Sequence, residues 1–576
     1  MHSDFQAEQG AIEAFFNSLA REWPACRLLP TPERECAWDL EVPVEPLGGV
    51  LRIALTHRSR AGRHGFRLPV RLRLADGVEK PVAFATAIAA AAEAVARSRS
   101  LGGAAQRRFV ERVLESTDTI EAALRARAAR PPSGAAPADF LTSEQTLVLG
   151  HSLHPAPRSA TELRPERAEF MPEFAPAFRL RWALVRPDAL VFEDVAGRNA
   201  GALLRDLGAP CEVGRIAVPM HPWQARSLAS QPEFTDLLAR DAVRIVDGAD
   251  GETWHPTASV RSLYCPRAPW MLKFSLGARV TNSVRILFPT ELARGKDVSR
   301  LLRSTIGSQV GRLAPDLEFL EEPAHFGLRN GGHVLRESLV IVRSNPFVGF
   351  AARNVAMLAT LCQIDPASGR TPLSALVGEA AARAGMPLRE AGLDWFGRLV
   401  DLLPLPLARL RCRLGLLFGA HQQNALVLLR DGWPVRAYVR DCQGSGHVEG
   451  FHERLAAEVP GLGLAAEAVV PDEVGNRLLG YYVIVNGLFG LVAAMSRDGL
   501  ANEAAMFGLV RKRLERERAA RPPDPSFLDY LLGTPMLAAK GNFMTFLEDV
   551  VENLGTREQR AIYHDFPNPL SERIPA

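Results

Sequence analysis

Apolar positions at helical spacing predict an opening helix over residues 7–23, and runs at 50–55 and 66–74 predict strands behind it. Two long Ala-rich stretches, 82–98 and 105–129, return to the helical period. The stretch Arg130-Pro131-Pro132-Ser133-Gly134-Ala135-Ala136-Pro137 reads as a linker or exposed loop and gives a first boundary at 137. Helices then mix with short apolar runs such as 216–218 and 339–342, and beyond residue 390 the pattern is mostly helical around one hairpin. The charged helix end at 511–521, stopped by Pro522-Pro523, reads as a solvated face.

That hairpin is the most informative stretch. Two apolar runs, 425–429 and 435–439, flank Asp431-Gly432, a strong turn signal. Centring the turn there places Gln422 opposite Asp441, with His421, Gln423 and Asn424 beside them. An imidazole, several amides and a carboxylate collected at one end suit a nucleotide and its metal ion. A second hairpin is predicted over 259–276, with a turn centred on Arg267. Leu272, Phe274 and Leu276 alternate with Lys273 and Ser275, so Arg261 would face Lys273 and Ser259 would face Ser275. Like charges opposed across strands repel. Either a polyanion lies between them or the pair marks a solvated edge strand, and on the strands alone the edge is the commoner case. Residues 277–289 read as a helix that sets Thr281 and Arg285 on one face, a hydroxyl and a guanidinium suited to a carboxylate.

Composition narrows the field. The 576 residues carry a net charge of +3, so no global basic field argues for nucleic acid. The seven cysteines are scattered without a Cys-x-x-Cys pair, and the first ten residues show no signal-peptide pattern, so a reducing cytoplasm is expected. Residues 478–496 are uncharged over a length close to a membrane span, yet three glycines, Asn486 and two tyrosines favour a buried core helix, and no membrane partner is expected. His151, His154 and His221 raise the question of zinc. No His-Glu-x-x-His is present and the His-x-x-His spacing does not set two ligands squarely on a helix face, so capping, packing or substrate hydrogen bonding is the preferred reading.

Several motifs occur together in a recognisable order: Gly150-His151-x-x-His154-Pro155, Val218-Pro219-x-His221-Pro222-Trp223-Gln224, Ser259-x-Arg261-Ser262, Lys273, Thr281-x-x-x-Arg285, Ala420-His421-x-Gln423-Asn424 and Arg440-Asp441-x-x-Gly444. In this the chain resembles, over nearly its whole length, the siderophore synthetases of the IucA/IucC (aerobactin synthetase) type, which work independently of nonribosomal peptide synthetases. The resemblance implies an α+β fold likened to an open hand: a thumb over 1–137, fingers over 138–385, and a palm over 386–576 with a mixed or antiparallel sheet and the nucleotide site. It implies activation of citrate or a citrate derivative by ATP and Mg²⁺, release of pyrophosphate, and transfer of the acyl group to an amine or hydroxyl (a polyamine, amino alcohol or amino acid) with loss of AMP. A homodimer is expected.

By the same resemblance Ser259, Arg261, Ser262 and Lys273 would hold the triphosphate, with Lys273 on the α-phosphate; Gln423 and Asn424 would contact nucleotide or phosphate, and Asp441 would hold Mg²⁺. Thr281, Arg285, His421 and Lys540 would bind the carboxylic acid, with His154 and Tyr481 lining that pocket. Lys273, Arg285 and His421 would serve catalysis through alignment and electrostatics. Loss of Lys273 is expected to abolish turnover and leave the fold intact. The chain departs from the family pattern at Gly419, where a glutamate is common; at Ser262, where threonine is usual; and at Arg158, in place of a lysine after the His-Pro motif. Gly419 leaves open a nucleotide-binding member without ligase activity, with Glu337 as a replacement carboxylate. A phosphotransferase is the third reading, since a Lys-plus-Asp metal site also serves γ-phosphoryl transfer.

Overall fold

The computed structural model describes residues 2–31, 37–129, 139–248, 252–552 and 562–571; the linker expected at 130–137 lies outside the described residues. The first strands form a five-stranded antiparallel sheet in simple sequence order, built from Arg27–Pro30, Trp38–Val44, Gly49–His57, Gly65–Leu74 and Glu79–Pro81. Leu40, Val42, Val44, Leu51 and Ile53 are fully buried, so alternation gives the sheet one apolar face. The helices His2–Glu22, Phe84–Ser98 and Gly103–Ala128 cover it, as their periods predict. This core is completed from the far end of the chain. Phe543 meets Phe15 and Phe109 at ring distances of 5.3 and 5.1 Å, and Glu22 accepts the Phe543 and Met544 amides at 2.8 Å each.

The middle of the chain forms a seven-stranded sheet in which Ser262–Tyr264, Trp270–Phe274 and His333–Ser344 are neighbours. The expected run at 339–342 lies inside the last of these, and that at 216–218 inside the strand Ile216–Met220. A four-stranded sheet carries the hairpin Ala425–Arg430/Trp433–Val439 against the short strands Leu317–Phe319 and Val355–Met357. Mixed helix and sheet, with mostly antiparallel pairing, is the α+β character expected. The long apolar helical stretch Asp472–Arg497 passes a length-and-composition test for a membrane span, but 83% of its most apolar window is buried inside the protein.

Three local expectations need correction. Asp431 and Gly432 both take positive φ (53° and 84°), the primed turn that Asp-Gly favours. Near the turn the predicted register holds, with Arg430 opposite Trp433, but a bulge after Leu428 shifts the rest by one residue, so Ala425 faces Val439. His421 to Asn424 therefore sit in a turn before the strand. The second hairpin also slips by one: Ser262, and not Arg261, opposes Lys273. The cause is remote. Asn345 donates to the Cys265 and Ala268 carbonyls (3.3 and 2.7 Å) and so fixes the turn from another strand's end. Residues 277–289 are not a helix. Leu276–Val280 pairs with Ser283–Arg285, and Thr281 turns the chain at φ 55°. β-Branched Val280, Thr281 and Val284 suit strands better than helix. The turn is tied down by Thr281 N donating to the Ser159 carbonyl (3.0 Å) and Arg112 donating to the Thr281 carbonyl (2.8 Å).

Candidate active site

One cavity of about 790 Å³ collects nearly every candidate residue, a volume in the range that holds small ligands. Ser259, Arg261, Ser262, Thr281, Arg285, His421, Gln423, Asn424, Asp441, Tyr481, Lys540 and His154 all line it. Lys273 is only 1% exposed and stands behind Asp441, its Nζ 2.6 Å from Asp441 Oδ1 and 3.5 Å from Glu322 Oε1. Arg343 donates to Glu322 from Nε at 2.9 Å and lies 3.9 Å from Asp441. Burial alone pushes Asp441 up, but Lys273, Arg343 and Arg261 outweigh it and hold the carboxyl well below the usual range. Asp441 is thus a firmly ionised carboxylate on the wall of the cavity, backed by three cations.

Arg261 reaches the same corner by another route. Its Nη2 donates to Gln443 Oε1 at 3.1 Å and lies 3.7 Å from Glu291. The one-residue slip of its hairpin removes the direct Arg261/Lys273 opposition, yet both cations still act on Asp441. The solvated-edge reading fails, since Arg261 and Lys273 are both buried. Backbone conformation is costly here: Val260 (φ 67°), Thr281 (φ 55°) and Asp441 (φ 71°) are non-glycine residues at positive φ, and all line this cavity. Such conformations concentrate where the surrounding structure fixes a functional geometry. Arg440 supplies part of that fixing. It pairs with Glu144 at 2.7 Å and donates to the Gln423 carbonyl at 2.7 Å, while Glu144 accepts the Ala258 amide at 2.9 Å. One buried ion pair thus joins the Ser259 loop to the Asp441 hairpin.

The opposite wall collects Arg285, Thr281, Lys540, His154 and His421. Arg285 Nη2 donates to the Val280 carbonyl (3.0 Å) and lies 3.4 Å from Thr281 Oγ1, so the two residues meet although the predicted helix is a hairpin. Burial, then Arg261, lowers Arg285 to about 10. Lys540 pairs with Glu552 at 2.6 Å, and Asn282 donates to Glu552 at 3.0 Å while meeting His154 Nε2 at 3.0 Å. Because His154 Nδ1 accepts the Ala156 amide, Nε2 carries the proton and donates to Asn282. His421 is pushed down to about 4 by burial and is a neutral hydrogen-bonding group, not a cation.

Reading the sequence missed Glu291, Glu322, Arg343, Gln443, Asn282 and Glu552. Most are single polar residues in unremarkable surroundings; Arg343, a lone cation ending an apolar run, was the one visible signal. Gln422 was placed opposite Asp441 but turns away and donates to the Gly487 carbonyl. Glu337 does not line the cavity; Glu291 does. Gly419 has a packing reason: a Cβ there would lie 3.0 Å from Gly444 Cα and 3.2 Å from its carbonyl oxygen. The two backbones run close here, and a side chain at 419 would need Gly444 to give by a few tenths of an ångström. Arg158 lines the cavity but its charge turns toward Glu173, 3.4 Å away. His221 sits apart, its ring against Phe170, Phe178 and Phe274. Among the described residues no cluster of three His, Cys, Asp or Glu forms a metal centre.

The sequence model of the IucA/IucC family matches residues 139–363, and that of the FhuF-like ferric iron reductase transporters matches residues 393–555. Over 97% of both chains the protein is 34% identical to the rhizobactin siderophore biosynthesis protein RhbC of Rhizobium meliloti (strain 1021). The chain belongs to the IucA/IucC family. It is also 30% identical, over 97% of this chain and 95% of the other, to the N(2)-citryl-N(6)-acetyl-N(6)-hydroxylysine synthase of Vibrio mimicus. Its fold superposes on that of ATP-bound aerobactin synthetase IucA from Klebsiella pneumoniae with a TM-score of 0.89, at 31% identity, covering 98% of this chain and all of the other. In this chain most of the motifs converge on the cavity described above, while the one around His221 does not.

Proposed function

We propose that the protein is an ATP-dependent siderophore synthetase that activates citrate or a citrate derivative as an acyl adenylate and joins it to an amine or hydroxyl. The observation that carries this reading is the two-sided cavity: Lys273, Arg343 and Arg261 around Asp441 on one wall, and Arg285, Thr281, His421 and Lys540 on the other. The triphosphate lies against the first wall, where buried cations lower the cost of charge building on the α-phosphate. The carboxylic acid lies against the second, held by Arg285 and Lys540 with Thr281, neutral His421 and His154 as hydrogen-bonding groups, so that its oxygen is aligned on phosphorus. A carboxylate oxygen forms the new P–O bond, and the bond to pyrophosphate breaks with its electron pair on the leaving oxygen. The amine or hydroxyl then bonds to the acyl carbon and AMP departs.

The donor set fits Mg²⁺, which takes one or two carboxylates and completes its shell with water and phosphate oxygens. Asp441 is ionised and partly exposed, and Glu291 Oε2 is buried without a hydrogen-bond partner. These residues would hold the ion, which would draw negative charge from the phosphates. Ser259, Ser262, Gln423 and Asn424 complete the nucleotide contacts, and Tyr481 lines the acid pocket. The thumb, fingers and palm division at 137 and 385, a cytoplasmic homodimer, and these individual residue roles belong to the same proposal.

Incubation with ATP, Mg²⁺, citrate and a panel of polyamines, amino acids and amino alcohols should yield AMP, pyrophosphate and a condensed product by mass spectrometry. Release of ADP would instead mark a phosphotransferase, and failure of every carboxylate to release pyrophosphate would sink the ligase reading. ATP binding without AMP release from any substrate combination would instead mark a nucleotide-binding member without ligase activity.

A further inference from the structure

A second chamber of about 330 Å³ adjoins the active-site cavity. The two share Leu147, Gly150, His151, His421, Gln423 and Asn486, so these residues form the wall between them. The chamber is built by the first helix, the strand Gly65–Leu74 and the loop after Leu361, elements to which the activation chemistry gives no task. Its inner surface is mostly apolar, with Ala14, Phe66, Leu149 and Ile364 facing it. Its polar side chains are largely engaged within the protein. Arg497 makes two bonds to Glu13 (2.7 and 2.9 Å), and Gln363 is held by the Leu149 amide (2.7 Å) and the Thr146 carbonyl (3.0 Å). Arg63 differs: its Nη2 donates to the Cys362 carbonyl at 2.9 Å, and among the described residues it has no ion-pair partner. With Arg497 neutralised by Glu13, the lining carries an excess of positive charge from Arg63 and Arg67.

A hydrocarbon-lined chamber with a guanidinium free of ion pairing among the described residues, divided from the active-site cavity by shared side chains, has the form of a site for a chain that ends in an anion. We propose that it receives the second substrate: an amine whose far end bears a carboxylate, as in an amino acid, with Arg63 taking the carboxylate and the amine reaching the activated acyl carbon past His151 and His421. This rests on the ligase reading above and adds the class of nucleophile. A polyamine would bring a second ammonium into a chamber already positive, a like-charge contact that disfavours it. The partition suits the step as well. The amine must arrive uncharged, and a buried, positive surround favours the neutral form of a base; at the chamber wall burial first, with His421, Lys540, Arg21 and Arg63 adding to it, holds His151 near 3. The nitrogen lone pair forms the C–N bond, the acyl C–O bond to AMP breaks with its pair on the phosphate oxygen, and the proton shed by nitrogen passes to water or to AMP.

The test separates the two half-reactions. Citrate-dependent exchange of labelled pyrophosphate into ATP reports activation alone, and amide formation reports the chamber. Matched nucleophiles on one three-carbon chain, 4-aminobutanoate with a carboxylate at its far end and 1,3-diaminopropane with an ammonium there, should differ at least tenfold in kcat/KM for the wild type in favour of the carboxylated one. Arg63→Gln should erase most of that preference through the amine KM, Arg63→Lys should restore part of it, and pyrophosphate exchange should stay within about threefold. Ile364→Trp, on a loop, should narrow the chamber and raise the amine KM without altering exchange. Equal or better use of 1,3-diaminopropane, or an unchanged preference in both Arg63→Gln and Ile364→Trp, would overturn the assignment. Absence of exchange in the wild type with every carboxylate would overturn the ligase reading beneath it.

Discussion

Lys273 shows how a residue chosen for its chemistry can also be a structural necessity. Its ammonium is buried between Asp441 and Glu322, whose remaining oxygen Oε2 already lacks a partner. Removing one member of a buried ion network leaves uncompensated charge, at a cost of about 3–5 kcal/mol. Lys273→Ala should therefore lose turnover and also unfold at a visibly lower temperature, measured by circular dichroism melting alongside AMP release. This revises the expectation that the fold would be indifferent. An unchanged melting curve would show that water or Arg343 can replace the lost charge. Gly419 shows the converse: a position read for its missing functional group also has a packing role, its backbone running close against Gly444.

At the scale of elements, the hairpin Leu276–Val280/Ser283–Arg285 joins the proposed acid pocket to the rest of the cavity. Its turn residue Asn282 accepts a hydrogen bond from His154 and donates one to Glu552, which in turn holds Lys540. Asn282→Ala should leave buried partners unsatisfied, costing about 1–3 kcal/mol. It should raise the citrate KM more than the ATP KM, read from pyrophosphate exchange at varied concentrations of each; equal effects would place Asn282 outside the acid pocket. This element was also the plainest error of the sequence reading. Thr281 and Arg285 are neighbours either in one helical turn or across a tight hairpin, so their spacing could not distinguish the two. The hairpin turn at Asp431-Gly432 was legible because its chemistry is local. The bulge beyond Leu428 and the slip set by Asn345 were not, because they depend on contacts made by distant residues.

Across the whole molecule, burial of histidine sets an acid limit. His64 and His421 are lowered by burial to about 4, and His151 and His221 to about 3, from an ordinary value of 6.5. Below 6.5 the unfolded chain takes up these protons and the folded one does not, so each contribution to stability is lost as pH falls from about 6.5 toward 4. Glu22, raised by burial to about 8, acts in the other direction: its contribution is present at low pH and lost as pH rises through 8. Among the described residues nine histidines are lowered, these four with His154, His255, His325, His447 and His564, against two raised glutamates, Glu22 and Glu291; this balance predicts a melting temperature that drops progressively below pH 6.5 in a buffer series, and a flat profile down to pH 4.5 would contradict it. At this scale the sequence was most readable. Motifs spread from His154 to Lys540 were gathered correctly into one cavity, since cations and acids in family order mark the site wherever they fall along the chain. The supporting carboxylates Glu291, Glu322 and Glu552 escaped notice, because no local pattern separates a glutamate that faces the cavity from one that faces water.

The closure of the first core by the helix Asn542–Leu547 has a consequence for biosynthesis. Domains usually fold in the order in which they leave the ribosome. Here the amino-terminal sheet and its helices emerge first but lack Phe543 and Phe546, and Phe15 and Phe109 stay uncovered until almost the whole chain has been made. The order of translation and the order of completion are thus reversed. The earliest part of the protein is finished last, by the same segment that delivers Lys540 to the cavity, so a nascent chain cannot complete its first core before it is nearly ready to bind its substrates.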